Sequence, residues 1–317
     1  MPRGVLAVGD RVQLTDPKGR HHTLTLEAGR LFHTHKGALA HDHLIGSPEG
    51  VVVTSTGNIE FLALRPLLQD FVLSMPRGAT VVYPKDAAQI IGLADIFPGA
   101  LVVEAGAGSG ALTCSLLRAV GASGRLISYE RRPDFAAVAA KNVAGFFGLE
   151  HPAWELVVAD VGEAELPTDV DRVVLDLLAP WDLVDRIADA LTPGGVLCSY
   201  VATTTQLSKL VETLRGHMGF TEPYACETMV RTWHVEGLAV RPDHRMVGHT
   251  GFLVTSRRLA PGTSAPLRRR RPAPGAYGAD WEPPTPRRHD PDTAAPVPTP
   301  GAGSVEVVDH VDQRTGG

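Results

Sequence analysis

The chain has 317 residues, 44% of them apolar, 21% charged and 6% aromatic, with 35 acidic against 30 basic side chains and a formal charge of −5. This composition excludes disorder as the dominant state and a uniformly polyanion-binding surface, and the length suffices for about two domains with cores that need no covalent staples. The N-terminal apolar run is too short for a signal peptide, no stretch approaches the roughly 18 apolar residues of a membrane span, and so no membrane association is expected.

Between residues 4 and 65, short β-branched or alternating stretches (11–14, 23–26, 51–54 and 58–64) are separated at close spacing by Pro, Gly and Asp turns. They predict a small N-terminal β domain over residues 1–65. Residues 66–98 form a connecting segment, in which 86–95 reads as a short helix capped by Asp86. From residue 100 onward, apolar runs at 101–103, 125–129, 156–158, 173–175 and 195–201 alternate with helical patterns at 111–120, 134–147, 182–191 and 206–215. Continuous apolar strands between amphipathic helices predict a parallel sheet covered on both faces, an α/β doubly wound domain over 99–258. Its ligand should lie at the carboxyl ends of the strands. Residues 259–317 hold 11 prolines and 7 glycines and are read as a disordered tail, in which the arginines at 268–271 are a solvated charge block or a phosphate clip. Cys114, Cys198 and Cys226 lie in apolar segments with no C-x-x-C spacing, so reduced thiols and a cytoplasmic location are expected.

The chemistry concentrates in the loop Glu104-Ala105-Gly106-Ala107-Gly108-Ser109-Gly110, directly after the first strand of that domain and directly before a helix. Glycines let the backbone turn tightly and approach a ligand, and the N–H groups of the helix start can receive an anionic or hydroxyl group. The spacing is G-x-G-x-G, not the G-x-G-x-x-G of dinucleotide folds, and an acid precedes it. Glu104 would repel a pyrophosphate but accept a hydrogen bond from the amino group of a methionine moiety, which favours S-adenosylmethionine over NAD. The next strand ends at Glu130, placed to accept the hydroxyls of an adenosine ribose. The third ends at Asp160, suited to the exocyclic amine of the cofactor's adenine. The fourth ends in Asp176-Leu177-Leu178-Ala179-Pro180-Trp181, where a desolvated carboxylate needs a partner and a planar base could supply one.

Taken with the runs Val82-Tyr83-Pro84-Lys85-Asp86 and Gly248-His249-Thr250-Gly251-Phe252-Leu253, these motifs resemble the TrmI-type tRNA (adenine-N1)-methyltransferases, in particular the actinobacterial form. Similarity covers residues from about 8 to 260; the glycine loop is generic to class I methyltransferases, whereas the Tyr83 to Asp86 and Ala179 to Trp181 blocks are specific to this family. The resemblance implies methyl transfer to N1 of adenine 58 in the T loop of tRNA by a homotetramer. It makes Asp176 the residue that orients the adenine, places Tyr83 as a wall or donor near the base, and suggests that Gln89 helps hold the cofactor. Two other readings are a non-catalytic tRNA-binding subunit of the same fold, opposed by the intact loop, and an NAD-dependent oxidoreductase, opposed by the glycine spacing. Candidate phosphate contacts are Arg11, Lys18, Arg20, Lys36, Arg65, Arg231, Arg241 and Arg245. Six histidines fall between His21 and His43, including His33-x-His35 and His41-x-His43, where alternation would put both members of a pair on one strand face, but no cysteine or carboxylate cluster completes a ligand set, so a surface role or tRNA contacts are preferred and no metal is expected.

Overall fold

The computed structural model describes residues 4–78, 80–148, 151–263, 265 and 276–277. The arginines at 268–271 and nearly all of the expected tail lie outside these residues. The N-terminal part is built from β1 (Arg11–Thr15), β2 (His21–Thr25), β3 (Leu31–Thr34), β4 (Gly37–Ala40), β5 (Val51–Thr54) and β6 (Glu60–Leu64). Four of them form an antiparallel sheet in the order β2-β1-β6-β5, and β3 pairs with β4 as a separate ribbon. Period-two alternation sends Val12, Leu14, Phe61 and Ala63 inward, where they meet Leu6, Leu26, Leu39 and Leu44. The ribbon was not foreseen. His41 and His43 lie on a single 3-10 turn rather than a strand, and the buried His41 ring accepts a hydrogen bond from the Glu27 backbone.

Arg65 is not a phosphate contact. Its buried guanidinium donates to the Gly4 and Val5 carbonyls and pairs with Asp10 (2.6 Å) and Glu49 (3.0 Å), tying the start of the chain to the end of β6. These partners take the four terminal N–H donors, and the remaining Nε is buried without a partner among the described residues, so no free terminal donor is presented to a polyanion. Arg20 is likewise paired with Asp16, and Arg11 lies over the Phe71 ring and donates to the Ser74 carbonyl, joining β1 to the segment that follows.

That segment holds α1 (Leu68–Ser74), unseen in the sequence, and α2 (Pro84–Leu93). α2 starts two residues before the expected cap: Tyr83 is the N-cap and Pro84, whose ring presets a helical φ, opens the first turn. Asp86 is therefore inside the helix, buried, and paired with Lys85.

The larger part alternates β7 (Leu101–Ala105), α3 (Ala111–Val120), β8 (Arg125–Tyr129), α4 (Pro133–Phe147), β9 (Trp154–Val157), β10 (Val170–Asp176), α5 (Val184–Ala190), β11 (Leu191–Val201), α6 (Thr204–His217), β12 (Tyr224–Cys226), β13 (Trp233–Glu236), β14 (Ala239–Pro242) and β15 (Phe252–Arg257). The helix expected at 182–191 is divided between a 3-10 turn, Pro180–Leu183, and α5. One seven-stranded sheet has the order β12-β15-β11-β10-β7-β8-β9. The sheet is not wholly parallel: β15 runs antiparallel to both of its neighbours. No crossover helix separates β12 from β15; the chain between them forms a β13–β14 hairpin and returns, and such a connection reverses direction.

Both faces of the sheet are covered. Val102, Val174, Cys198 and Leu253 pack beneath α2, α3 and α4, while Val103, Ala105, Val173, Leu175 and Leu197 pack beneath α5 and α6. The strand order reverses at β7, where β8 lies on one side and β10 on the other. A crevice therefore opens at the carboxyl ends of those three strands.

Candidate active site

The turn after β7 is built for close approach of backbone to backbone. Gly106 has φ +91°, and a Cβ on it would stand 2.2 Å from the Asp176 carbonyl oxygen, so no side chain fits there. The Gly106 N–H donates to the Tyr129 carbonyl at 2.9 Å, stitching the turn to the end of β8. Gly110, at φ +79°, is the N-cap of α3 and lies against Ala139 of α4. Gly108, at φ +54°, donates its N–H to the Glu130 carboxylate at 2.9 Å. Asn142 of α4, buried, donates to the carbonyls of Ser109 and Pro76 and fixes the loop from behind. Ala107 is buried within the turn and donates to Tyr129. The loop's own N–H groups at Gly106, Ala107, Gly108 and Gly110 are thus engaged internally, contrary to the open donor set that the sequence suggests.

Four carboxyl groups end the strands around this turn. Glu104 is fully enclosed: one oxygen receives the hydroxyls of Thr113 (2.7 Å) and Ser128 (2.5 Å), and the other has no partner among the described residues. Burial raises its pKa to about 7, the two hydroxyl bonds acting the other way and the charges of Asp176 and Glu130 adding to the rise. The enclosed side chain braces the loop from beneath instead of lining the open crevice. Ser109 also has a buried hydroxyl without a partner among the described residues. Glu130 accepts from Gly108 N–H and, at 3.0 Å, from Arg132 N–H, which leaves one acceptor position on each oxygen. Asp160 is exposed, accepts from the Gly162 N–H at 2.8 Å, and has Arg131 at 4.0 Å.

Asp176 ends β10 with a half-buried carboxyl, and its pKa is raised to about 7, by burial first and by the charge of Glu130 second. Its register partner on β11 is Tyr200, a residue that sequence reasoning passed over. The Tyr200 hydroxyl donates to the Thr250 carbonyl at 2.6 Å, and burial pushes its pKa up to about 12, with Asp86, Asp176 and Tyr83 all close enough to contribute. The same rule that picked out Glu130 and Asp176, a functional side chain at a strand's carboxyl end, would have found Tyr200. Tyr83 is half-buried at the start of α2. Gln89 is exposed farther along that helix. The structure thus brings Glu104, Glu130 and Asp176 around the glycine loop, sets Tyr83 close to Tyr200, leaves Asp160 exposed at the outer strand end and leaves Gln89 on the helix surface.

A second cluster lies behind Tyr83. Lys85, almost wholly buried, gives its three ammonium hydrogens to Asp86 (2.7 Å), the Thr228 carbonyl (2.6 Å) and the Thr250 hydroxyl (2.6 Å), and that hydroxyl donates to the other Asp86 oxygen at 2.6 Å. Beside it, both ring nitrogens of His249 face acceptors at 3.0 Å, the Ala202 carbonyl and Glu227, and these raise its pKa in that order. Lys85, His249 and Thr250 lie in the runs that carry the family resemblance, but the sequence does not show that they meet, because partners separated by 143 and 165 positions come together only after folding.

Electrostatically the crevice is acidic, with two carboxyls held near neutrality and a glycine turn that leaves space where a side chain would stand. It suits a ligand with positive charge and hydroxyl or amine donors and opposes a pyrophosphate.

Comparison with known proteins agrees with this chemistry. The family model described as TrmI-like N-terminal matches residues 4–53, and the one described as tRNA methyltransferase complex GCD14 subunit matches residues 58–239. The tRNA (adenine(58)-N(1))-methyltransferase TrmI of Thermus thermophilus is 40% identical over 251 residues, covering 77% of this chain and 95% of that protein. Among solved structures, a SAM-dependent O-methyltransferase from Thermotoga maritima aligns with a TM-score of 0.77 at 29% identity, over 84% of this chain and 97% of that one. The tRNA (m1A58) methyltransferase TrmI from Aquifex aeolicus aligns with a TM-score of 0.72 at 25% identity, over 81% of this chain and all of that one.

Proposed function

This chain belongs to the TrmI family of tRNA (adenine-N1)-methyltransferases, and from that premise we propose that its acidic crevice holds S-adenosylmethionine and serves methyl transfer to N1 of adenine 58 in the T loop of tRNA. The observation that carries this reading is Asp176: a half-buried carboxyl at a strand end, pulled to about 7, against the glycine turn and opposite Tyr200.

The donor supplies an electrophilic methyl group on a positively charged sulfur. The residues present fit it. Glu130 keeps an acceptor position on each oxygen for the ribose hydroxyls, and Asp160 stands exposed at the outer strand end for the adenine amine. The charge of Asp176, costly to ionise where it is half-buried, is offset by a neighbouring cation, as from beneath the loop is that of the enclosed Glu104. N1 of adenine carries its lone pair in the ring plane, so the protein's task is alignment. The Asp176 carboxylate accepts a hydrogen bond from the adenine N6 amine, which holds the ring in register and stabilises the positive charge that forms when N1 is alkylated. Tyr83 and Tyr200 serve as walls of the base slot. An adenine inside the folded T loop must leave its stack to enter, at a cost of a few kcal/mol. The exposed Arg231, Arg241 and Arg245 are suited to offset that cost through phosphate contacts.

The proposal extends to assembly and place. The segment 227–250 projects as an arm that exposes Met229, Trp233, Val235, Leu238, Val240 and Met246, with Leu238 fully solvent-facing. A contiguous apolar surface of this kind favours burial between copies of the chain, and a homotetramer would also gather the basic residues of several subunits around one acidic-on-average protein's polyanionic substrate. No helix among the described residues is long and apolar enough to cross a membrane, and a cytoplasmic site of action follows from the tRNA substrate.

The test is direct. Unmodified tRNA incubated with the protein and isotopically labelled S-adenosylmethionine should gain one methyl group, mapped by nuclease digestion and mass spectrometry to adenine 58 in tRNA numbering. Absence of the label, or its appearance at a different atom or position, would reject the proposal.

A further inference from the structure

The Lys85 cluster is more elaborate than a helix start needs. Its bonds form a closed ring: ammonium to Asp86, Asp86 to the Thr250 hydroxyl, and that hydroxyl back to the ammonium, with the remaining ammonium hydrogen on Thr228. Every donor in the ring is used, which is what a buried ion pair requires if it is to be stable and geometrically unique. The ring also has an output. The carbonyl of Thr250 receives the Tyr200 hydroxyl at 2.6 Å, and the next residue, Gly251, lies so close to the Tyr200 ring that a Cβ would fall 2.3 Å from it. Tyr200 is in turn the register neighbour of Asp176. At the other end of the ring, Lys85 and Asp86 lie two and three residues after Tyr83, in the first turn that Pro84 opens.

Three separate pieces of chain meet here: the first turn of α2, the end of β11 and both roots of the 227–250 arm. The arm roots are joined to each other by the Val230–Val247 bridge and to the sheet by His249, which contacts Glu227 and the Ala202 carbonyl. We propose that Lys85, Asp86 and Thr250 are positioning residues for methyl transfer: they lock the arm roots against α2 so that Tyr200 and Tyr83 face Asp176 across a slot of fixed width. Among the described residues, none of the clamp's hydrogen bonds or ion pairs goes to a glycine-loop residue. It governs where the target adenine is held and leaves the donor's site alone. This inference rests on the proposed adenine-N1 activity.

The decisive variant is Thr250→Val, which keeps the shape of the side chain and removes the hydroxyl that closes the ring, with Thr250→Ser as the conservative control. The measurement is the single-turnover rate of adenine 58 methylation at saturating tRNA, expressed per S-adenosylmethionine site counted by equilibrium dialysis on the same sample. The clamp predicts a fall of at least tenfold in Thr250→Val, donor affinity within threefold of wild type, and recovery to within threefold in Thr250→Ser. Counting sites removes unfolded protein from the rate, so a merely structural role would leave the rate per site unchanged. Wild-type rate per site in Thr250→Val, or a loss confined to donor affinity, would overturn the clamp while leaving the activity standing. A wild-type protein that binds the donor but leaves tRNA unmethylated would overturn both.

Discussion

Replacing Glu104 with glutamine should change stability in opposite directions at low and high pH. In the folded protein this carboxyl ionises near 7 instead of the usual 4.5, because burial disfavours its charge. A carboxyl whose folded pKa lies above its unfolded value binds its proton more tightly in the folded state. Its contribution to stability therefore declines as pH rises from about 4.5 through 7 and is level beyond that. Carrying the charge at pH 9 costs the fold about 3 kcal/mol, and at pH 5 about 1 kcal/mol or less. Glutamine abolishes this dependence. Its carbonyl can keep the Thr113 and Ser128 hydroxyls, but its amide then points where one Glu104 oxygen has no partner among the described residues, an unmatched donor worth about 1–2 kcal/mol. Glu104→Gln should thus be slightly less stable than wild type at pH 5 and more stable by about 1–2 kcal/mol at pH 9. Urea unfolding of both proteins at pH 5, 7 and 9, at one protein concentration and without cofactor, reads the difference directly. A variant-to-wild-type difference that is the same at all three pH values would show that Glu104 is not the buried, neutral-range acid described here.

The same carboxyls tie donor affinity to pH. S-adenosylmethionine should bind several-fold more tightly at pH 8 than at pH 6, as the Asp176 and Glu104 carboxyls ionise near 7, whereas uncharged-sulfur S-adenosylhomocysteine should respond less; equal pH slopes for the two in calorimetry would refute this. Asp176→Ala should lower turnover by roughly a hundredfold or more while leaving donor affinity within a few-fold, and a wild-type rate would remove Asp176 from the mechanism. Gly106→Ala sets a Cβ at 2.2 Å from the Asp176 carbonyl in a left-handed φ; donor binding should be lost and the melting temperature should drop, and retention of both would mean that the turn has room to move. Leu238→Asp together with Trp233→Asp on the arm should dissociate the assembly in sedimentation velocity without unfolding the sheet, and an unchanged oligomer would place the subunit interface elsewhere.

The legible parts of this protein are those whose signal is local. Strand and helix alternation from 101 to 217 is written as runs of apolar residues at period two or 3.6, the glycine turn with Glu104 before it lies within seven consecutive positions, and the other acids each end a strand of that pattern. Hence Glu104, Glu130 and Asp176 do gather where strand ends converge. What escaped is what depends on distant partners. β15 opens as an apolar run and is comparable in length to the parallel strands, so its composition does not mark it as the reversed strand, and the three-residue β12 beside it gives no signal of its own. The arm's apolar residues resemble core positions in the sequence yet face solvent in the chain, because the hairpin that carries them stands outside the sheet's two packed faces. Arg65 and Lys85 show the ambiguity in its sharpest form. Both are cations in a family of tRNA methyltransferases, and both are themselves buried and consumed by carboxylates and carbonyls that position the chain's own elements. A positive residue reports its charge in the sequence but not its counter-ion. In this fold the buried cations brace the protein, whereas Arg231, Arg241 and Arg245 on the arm are exposed, which is why the proposed phosphate contacts fall on them.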